Sequence, residues 1–253
     1  MRLLAIDTSA SPVSAALLQD DFLAGEFFLN TKTTHSQTLM PLIEALLSMT
    51  SCTFSDIDVL AVNAGPGSFT GVRIGVASVK GMSLPTNKPC AAVSTLAAMA
   101  YGLPYHSGLV CTVMDARCAQ VYNALFRLKD GQVERLTEDR ALSIEELLAE
   151  LQTMDEEVIY LVGDGAELCY QTFGERLPSA VLTPMNLRYQ HAYGTAKAAQ
   201  QLIAENRLCS SDELMPVYLR LPQAERELKA RQQKEASASC TDGEKPAVSG
   251  GTP

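Results

Sequence analysis

Asp7, Thr8 and Ser9 close a short apolar run near the N-terminus, and Asp115 closes a second such run later in the chain. Two carboxylates at the tips of two hairpins could organise a divalent cation around a transferred phosphoryl group, which is the chemistry of an ATP-dependent small-molecule kinase. Neither tip contains a lysine, and the second continues through Arg117, Cys118 and Ala119 instead of a glycine-rich loop. Between the tips lies Gly65-Pro66-Gly67-Ser68-Phe69-Thr70-Gly71. Two glycines ahead of a helix let backbone amides approach a phosphate, with Ser68 and Thr70 as added hydroxyl donors. The segment has neither Gly-Lys-Ser/Thr nor Gly-x-Gly-x-x-Gly, and the same residue types also make plain turns and strand-to-helix corners. Ser68 is not in a Gly-x-Ser-x-Gly elbow. The three histidines (35, 106 and 191) have no second ligand at helical spacing and there is no His-Glu-x-x-His, so a zinc protease lacks its ligands.

The chain has 253 residues, 47% hydrophobic and 19% charged, enough for one large or two small globular domains. A net charge of −9 provides no bulk positive field for a nucleic-acid backbone, so any RNA must be met through a partner's basic surface. Seven cysteines, odd in number and without Cys-x-x-Cys, suggest neither a disulfide framework nor a zinc site. A reducing cytoplasm fits them. The N-terminal apolar run ends at Asp7, too short for a signal peptide, and no run reaches membrane-spanning length, so no membrane contact is expected.

These residues need elements to hold them. Leu3–Ile6 and Val13–Leu18 predict a hairpin around the polar turn 7–12, with a third strand near 25–30. Thr34 and Gln37 have capping-box spacing ahead of a helical stripe of Leu39, Leu42, Ile43, Leu46 and Leu47, with Pro41 expected to bend that helix. Val59–Val62 predicts a strand ending at the Gly65–Gly67 turn, and Val72, Val76 and Val79 predict a helix to about Leu84. Gly71, Gly75 and Ser78 line one side of it. Each glycine costs about 1 kcal/mol relative to Ala in a helix, so another backbone must come close there, and that side is the one expected to remain for a partner. Residues 89–93 predict a strand and 94–101 a helix.

The pattern then recurs. Leu109–Met114 and Gln120–Leu128 form a second hairpin around Asp115, ending at Lys129-Asp130-Gly131, and a helix at 143–151 precedes a strand and turn at 157–165, as 34–47 precedes 58–65. Two halves of like plan imply an internal duplication near residue 105. The expected domains are 1–105 and 106–222, with the helix 193–207 a candidate to return to the first. Residues 214–220 read as extended. From about Lys234 the composition cannot bury enough apolar area, and 223–253 is expected to be a disordered tail.

A duplicated α/β plan with two Asp-tipped hairpins resembles the actin, sugar-kinase and Hsp70-like superfold (ASKHA, ribonuclease H-like), with two similar subdomains. The resemblance implies that Asp7, Thr8 and Ser9 form the first phosphate hairpin, Asp115 belongs to the second, and Gly163 and Gly165 stand at the adenosine loop. Within that superfold, Ala5-Ile-Asp-Thr-Ser9, the run from Gly65 to Gly75, Met114-Asp-Ala-Arg-Cys-Ala-Gln-Val-Tyr122, Pro216-Val-Tyr-Leu-Arg220 and His35-Ser36 with Leu39 and Pro41 resemble the signatures of the TsaB (YeaZ) family, over about residues 1–222. That family belongs to the bacterial machinery that adds a threonylcarbamoyl group to tRNA adenosine. The resemblance implies a non-catalytic scaffold that binds its catalytic paralogue TsaD and, with it, the ATPase TsaE, reaching tRNA only through the complex. In TsaD, two histidines four residues apart face a metal; Thr95 and Met99 stand in the comparable segment here, and neither ligates a hard or borderline divalent cation. The implied nucleotide site is therefore degenerate, with no metal and no cofactor bound by this chain alone, and a nucleotide at the subunit junction is left open. The implied contact with TsaD, or with a second copy of the chain, uses the two helices carrying His35, Leu39, Leu42, Leu46, Gly71, Val72, Gly75, Val76, Ser78 and Val79.

Overall fold

The computed structural model describes residues 1–31, 33–103 and 107–220. The expected tail 223–253, the boundary at 105–106 and His106 lie outside the described residues.

Short continuous apolar runs at the N-terminus form a meander in which β1 (Arg2–Asp7) and β2 (Val13–Gln19), buried on both faces, pair antiparallel, and β2 pairs likewise with β3 (Phe22–Leu29). β4 (Val59–Gly65) then joins β1 in parallel and β5 (Cys90–Ser94) joins β4, giving the order β3-β2-β1-β4-β5. The helices α1 (His35–Met49) and α2 (Phe69–Ser83) follow β3 and β4, and α3 (Thr95–Tyr101) begins directly after β5.

The second sheet repeats this. β6 (Gly108–Asp115), β7 (Gln120–Lys129) and β8 (Gln132–Arg135) make the meander, β9 (Arg140–Ser143) pairs with the other end of β7, and β10 (Ile159–Val162) and β11 (Ala180–Leu182) are parallel to β6. The order β8-β7-β6-β10-β11 is that of the first sheet. The chain thus has the duplicated α/β plan of the superfold named above. Asp130 and Gly131, both at positive φ, form the two-residue β7–β8 turn, a backbone form that matches the twist of paired strands. The helices α4 (Ile144–Leu151), α5 (Ala166–Phe173), α6 (Met185–Arg188) and α7 (Ala192–Ala204) complete the described chain.

Period-two alternation gives the first sheet two apolar faces. Leu4, Ile6, Val13, Leu17, Leu60 and Val62 pack against α1 and α2. Leu3, Ala5, Ala16, Leu18 and Ala61 face α7 and Ala98 of α3. α7 is rich in alanine, and a Cβ on its Gly194 would overlap the Ala98 carbonyl, so it lies close against α3. The first sheet also caps it: the Ala192 N–H donates to Ser14 Oγ at 2.9 Å and the Tyr193 N–H to Glu26 Oε1 at 2.8 Å. On the second sheet, Leu109, Cys111 and Val113 pack on α4 and α5, while Val110, Met114 and Phe126 meet Leu96, Met99 and Ala100 of α3. α3 therefore belongs to the cores of both sheets.

Helix starts differ from the sequence expectation in one place. Thr34 precedes α1 but its side chain makes no cap; the Thr34 and Ser36 hydroxyls pair at 3.3 Å. A complete capping box stands instead at α4, where Ser143 Oγ accepts from the Glu146 N–H and the Glu146 carboxylate accepts from the Ser143 N–H at 2.8 Å, the kind of cap that contributes about 1 kcal/mol. α1 runs through Pro41.

Candidate functional site

The first hairpin tip is set by β1 and β2, and this chain's own corner covers it. Asp7, Thr8 and Ser9 are 1%, 0% and 0% exposed. The Ser9 N–H donates to Asp7 Oδ1 at 2.7 Å, and Thr8 Oγ1 donates to the Gly71 carbonyl at 2.8 Å. The Ser68 N–H donates to the Ser9 carbonyl at 2.6 Å, and a Cβ on Gly67 would overlap that same carbonyl. His35 adds a clasp, its Nε2 lying 2.8 Å from the Ala10 carbonyl. Asp7, Thr8 and Ser9 are thus covered by the corner, while Ser11 of the same turn stays exposed. Burial pushes the Asp7 carboxyl above its ordinary range, with Ser9 and Asn63 drawing it back.

The corner itself is as expected, a strand, a turn and a helix, but its glycines face inward. A Cβ on Gly71 would overlap the Thr8 carbonyl, and one on Gly75 would meet Thr8 Oγ1 and Val62. The backbone that had to come close is thus the hairpin of this chain. Gly71, Val72, Gly75, Val76 and Val79 are buried, as are Leu39, Leu42 and Leu46 of α1. These residues, expected to meet a partner, are core. His35 is half-buried and engaged with Ala10, and Ser78, two helical turns on from Gly71, is half-buried. A sequence stripe shows which side of a helix is apolar; it does not show whether the sheet or a partner covers it. Exposed on these helices are Met40 and Met49, on opposite flanks of α1, and Arg73, Ala77, Gly81 and Leu84 along α2 and at its end.

At the second tip, Asp115 is half-buried and held by Arg117, whose N–H donates to Oδ1 at 2.7 Å and whose guanidinium donates to Oδ2 at 3.0 Å. Arg117, Cys118 and Ala119 all have positive φ. Gly163 and Gly165, expected at an adenosine loop, are instead places where the β10–α5 turn meets β6: a Cβ would overlap the Val113 carbonyl at Gly163 and press on the Met114–Asp115 peptide at Gly165. They permit close packing of the turn on β6. Between them, Asp164 was missed by the sequence reading. Burial, with the charge of Asp115 beside it, raises its carboxyl to about 6, while a bond from Gln190 Nε2 at 3.4 Å opposes the rise. Its position within Gly163-Asp-Gly165 was the available signal.

Thr95 and Met99 both lie in α3 and both are buried. Thr95 Oγ1 makes no hydrogen bond with a described residue, and Met99 packs among Val110, Met114 and Val162. A hydroxyl and a thioether in a core do not make a site for a hard cation. Asp7 and Asp115 have separate surroundings, the one Ser9 and Asn63, the other Arg117 and Asp164. Among the described residues no three His, Cys, Asp or Glu side chains are grouped to hold a metal ion, and no helix is long and apolar enough to cross a membrane.

One surface cluster joins two of the motifs quoted from the sequence. Arg73, from the corner helix, donates from Nε to the Tyr218 hydroxyl at 2.8 Å, and its guanidinium lies 3.8 Å from the centre of the Phe69 ring. Tyr218 is held here because residues 209–219 run back along the first sheet: Cys209 and Cys90 exchange backbone bonds of 2.8 and 2.9 Å, and the Val217 N–H donates to the Ala64 carbonyl at 2.7 Å. Sequence spacing could not pair residues 145 apart.

Residues 29–228 match the profile of the family described as "TsaD: tRNA N6-adenosine threonylcarbamoyltransferase". The tRNA threonylcarbamoyladenosine biosynthesis protein TsaB of Bacillus subtilis is 33% identical, over 89% of this chain and 96% of that protein. The Escherichia coli protein of the same name is 32% identical, over 87% of this chain and 95% of its own length. Among solved structures, YeaZ from Pseudomonas aeruginosa superimposes with a TM-score of 0.73 at 28% identity, over 86% of this chain and 99% of that one. With relatives of this identity covering most of its length, and with the duplicated sheets, the chain belongs to the TsaB (YeaZ) family.

Proposed function

We propose that this chain acts in tRNA threonylcarbamoyladenosine biosynthesis as a non-catalytic scaffold that binds its TsaD paralogue, and TsaE with it, and holds the paralogue in the transferring state. The observation that carries the reading is the seat of Gly67, Ser68 and Gly71 on Thr8 and Ser9: the hairpin expected to hold phosphates is packed against the protein's own backbone. Thr95 and Met99 in the core of α3 support it from the metal side. With the tip of the first hairpin and the Thr95–Met99 positions taken into packing, the chain has its surface left to work with. The outer sides of α1 and α2, from Met40 and Met49 to Ala77 and Leu84, form the proposed contact with TsaD and, in its absence, with a second copy. Two helices from each partner can supply an interface of about 1,600 Å².

The experiment is a tRNA threonylcarbamoylation assay with the purified chain alone, TsaD alone, and both with TsaE, each component omitted in turn. Transfer that needs TsaD and rises on adding this chain is the expected result. Transfer by the isolated chain would overturn the reading, as would micromolar MgATP binding by it in calorimetry, the mark of the kinase alternative. That cytoplasmic tRNA is met only through the complex is checked by the same omissions with labelled tRNA in a gel-shift assay.

A further inference from the structure

Eight of the described arginines sit in ion pairs with a carboxylate. Arg73 does not. It is exposed, and where the others hold an acid it holds two aromatic rings: Phe69 at 3.8 Å, Tyr218 at 5.7 Å, and the Tyr218 hydroxyl through Nε. The two rings lie 4.8 Å apart, so the guanidinium is walled into one orientation with Nε used. Its Nη groups donate to no described residue. A guanidinium fixed this way offers a planar fork at little further cost in side-chain entropy, the arrangement that suits bidentate capture of a carboxylate.

The surroundings favour a protein over a nucleic acid as the source of that acid. Tyr218, Val217, Met215 and Leu84 are all large apolar side chains at 40% exposure or more beside α2. Lys80, the next cation along the helix, is turned toward the Asp212 carbonyl and the Met215 sulfur. One unpaired arginine among exposed apolar groups on a chain of charge −9 is a poor match for a phosphate backbone. It does match the centre of a protein interface, where Arg and Tyr ringed by apolar contacts carry much of the binding energy.

We propose that Arg73, braced by Phe69 and Tyr218, is the anchor by which this chain grips an Asp or Glu on the surface of its protein partner, and that residues 215–218 belong to that interface together with α2. The identity of the partner as TsaD rests on the function proposed above; the anchor rests on the geometry. Tyr218 acts here as a positioning residue: its hydroxyl fixes the fork and its ring fills one wall.

The test is isothermal titration of the full chain with purified TsaD paralogue, repeated with Arg73→Ala, Arg73→Lys and Tyr218→Phe, each checked by circular dichroism for an unchanged melting temperature. The wild type binds, Arg73→Ala weakens binding about 10- to 100-fold, Arg73→Lys fails to restore it because an ammonium has no fork, and Tyr218→Phe weakens it about 3-fold. If the wild type does not bind TsaD at all, the proposed function falls and takes this partner with it. If the wild type binds and Arg73→Ala binds equally well, the anchor alone is overturned. Loss of tRNA affinity in Arg73→Ala, measured by fluorescence anisotropy, with TsaD binding intact overturns it in favour of a phosphate ligand.

Discussion

Thr8 donates its hydroxyl to the Gly71 carbonyl, and the Thr8 carbonyl in turn fills the space where Gly71 would carry a Cβ. This two-way contact joins the tip of the first hairpin to the first turn of α2. It explains why a helix accepts glycines that cost it propensity.

Gly71→Ala is expected to cost about 3 kcal/mol, the upper range for a methyl added where nothing can yield. Gly81→Ala, in the same helix with nothing within 4 Å of the new Cβ, is expected to stabilise by up to about 1 kcal/mol. Urea unfolding of the two variants measures the contrast. Equal effects would mean that α2 does not lie on Thr8.

The inner and outer sides of α1 separate in the same way. Leu42→Ala and Leu46→Ala each remove a buried side chain and are expected to destabilise by about 2–5 kcal/mol. Met40→Ala lies outside and is expected to leave stability within about 0.5 kcal/mol while weakening association with TsaD. Thermal melts and co-elution on size exclusion read the two effects independently.

Asp164 sets a pH dependence. Its carboxyl ionises near 3.8 when unfolded and near 6 in the fold, so between these values the folded chain holds the proton more tightly. Its contribution to stability therefore falls as pH rises from about 4 to about 7. Asp164→Asn removes that penalty: the variant should be more stable than wild type at pH 7.5, by up to about 3 kcal/mol for a shift of two units, with the advantage fading toward pH 4. Denaturant midpoints across this range decide it, and a gain that grows as pH falls would contradict the assignment.

Cys90 and Cys209 face each other across a pair that exchanges both backbone bonds. Such residues have Cα atoms about 5.5 Å apart, inside the range a disulfide spans. Treatment with diamide is expected to link them within one chain, faster at higher pH because burial holds both thiols above their ordinary range. Peptide mapping under non-reducing conditions identifies the link, and Cys209→Ser should abolish it. A bond joining other cysteines would show that residues 209–219 do not follow this edge.

Much of this architecture was legible in the residues. Val59–Val62, the Gly65–Gly67 turn and the valines of α2 carry clear periods, and the repeat of the Asp7 hairpin at Asp115 announced the second sheet, whose strand order proved the same. The site was less legible, for a physical reason. Glycine at 71 and 75 means that something must approach, and only the fold shows that Thr8 does so. Likewise Leu39, Leu42 and Leu46 mark an apolar side without saying what covers it. Arg73 and Tyr218 each stood in a quoted motif, but their meeting depends on residues 209–219 returning along β5 and β4, a long-range event that no local pattern encodes.

The helix α7 covers one face of the first sheet and takes its caps from Ser14 and Glu26, yet it is encoded about a hundred residues after β5 ends. A ribosome adds about 5–20 residues each second. The N-terminal half must therefore wait roughly 5–20 s with an oily flank bare before its lid emerges, so the nascent polypeptide is a natural client for a chaperone, and a gene cut between the halves would leave the first of them prone to clump.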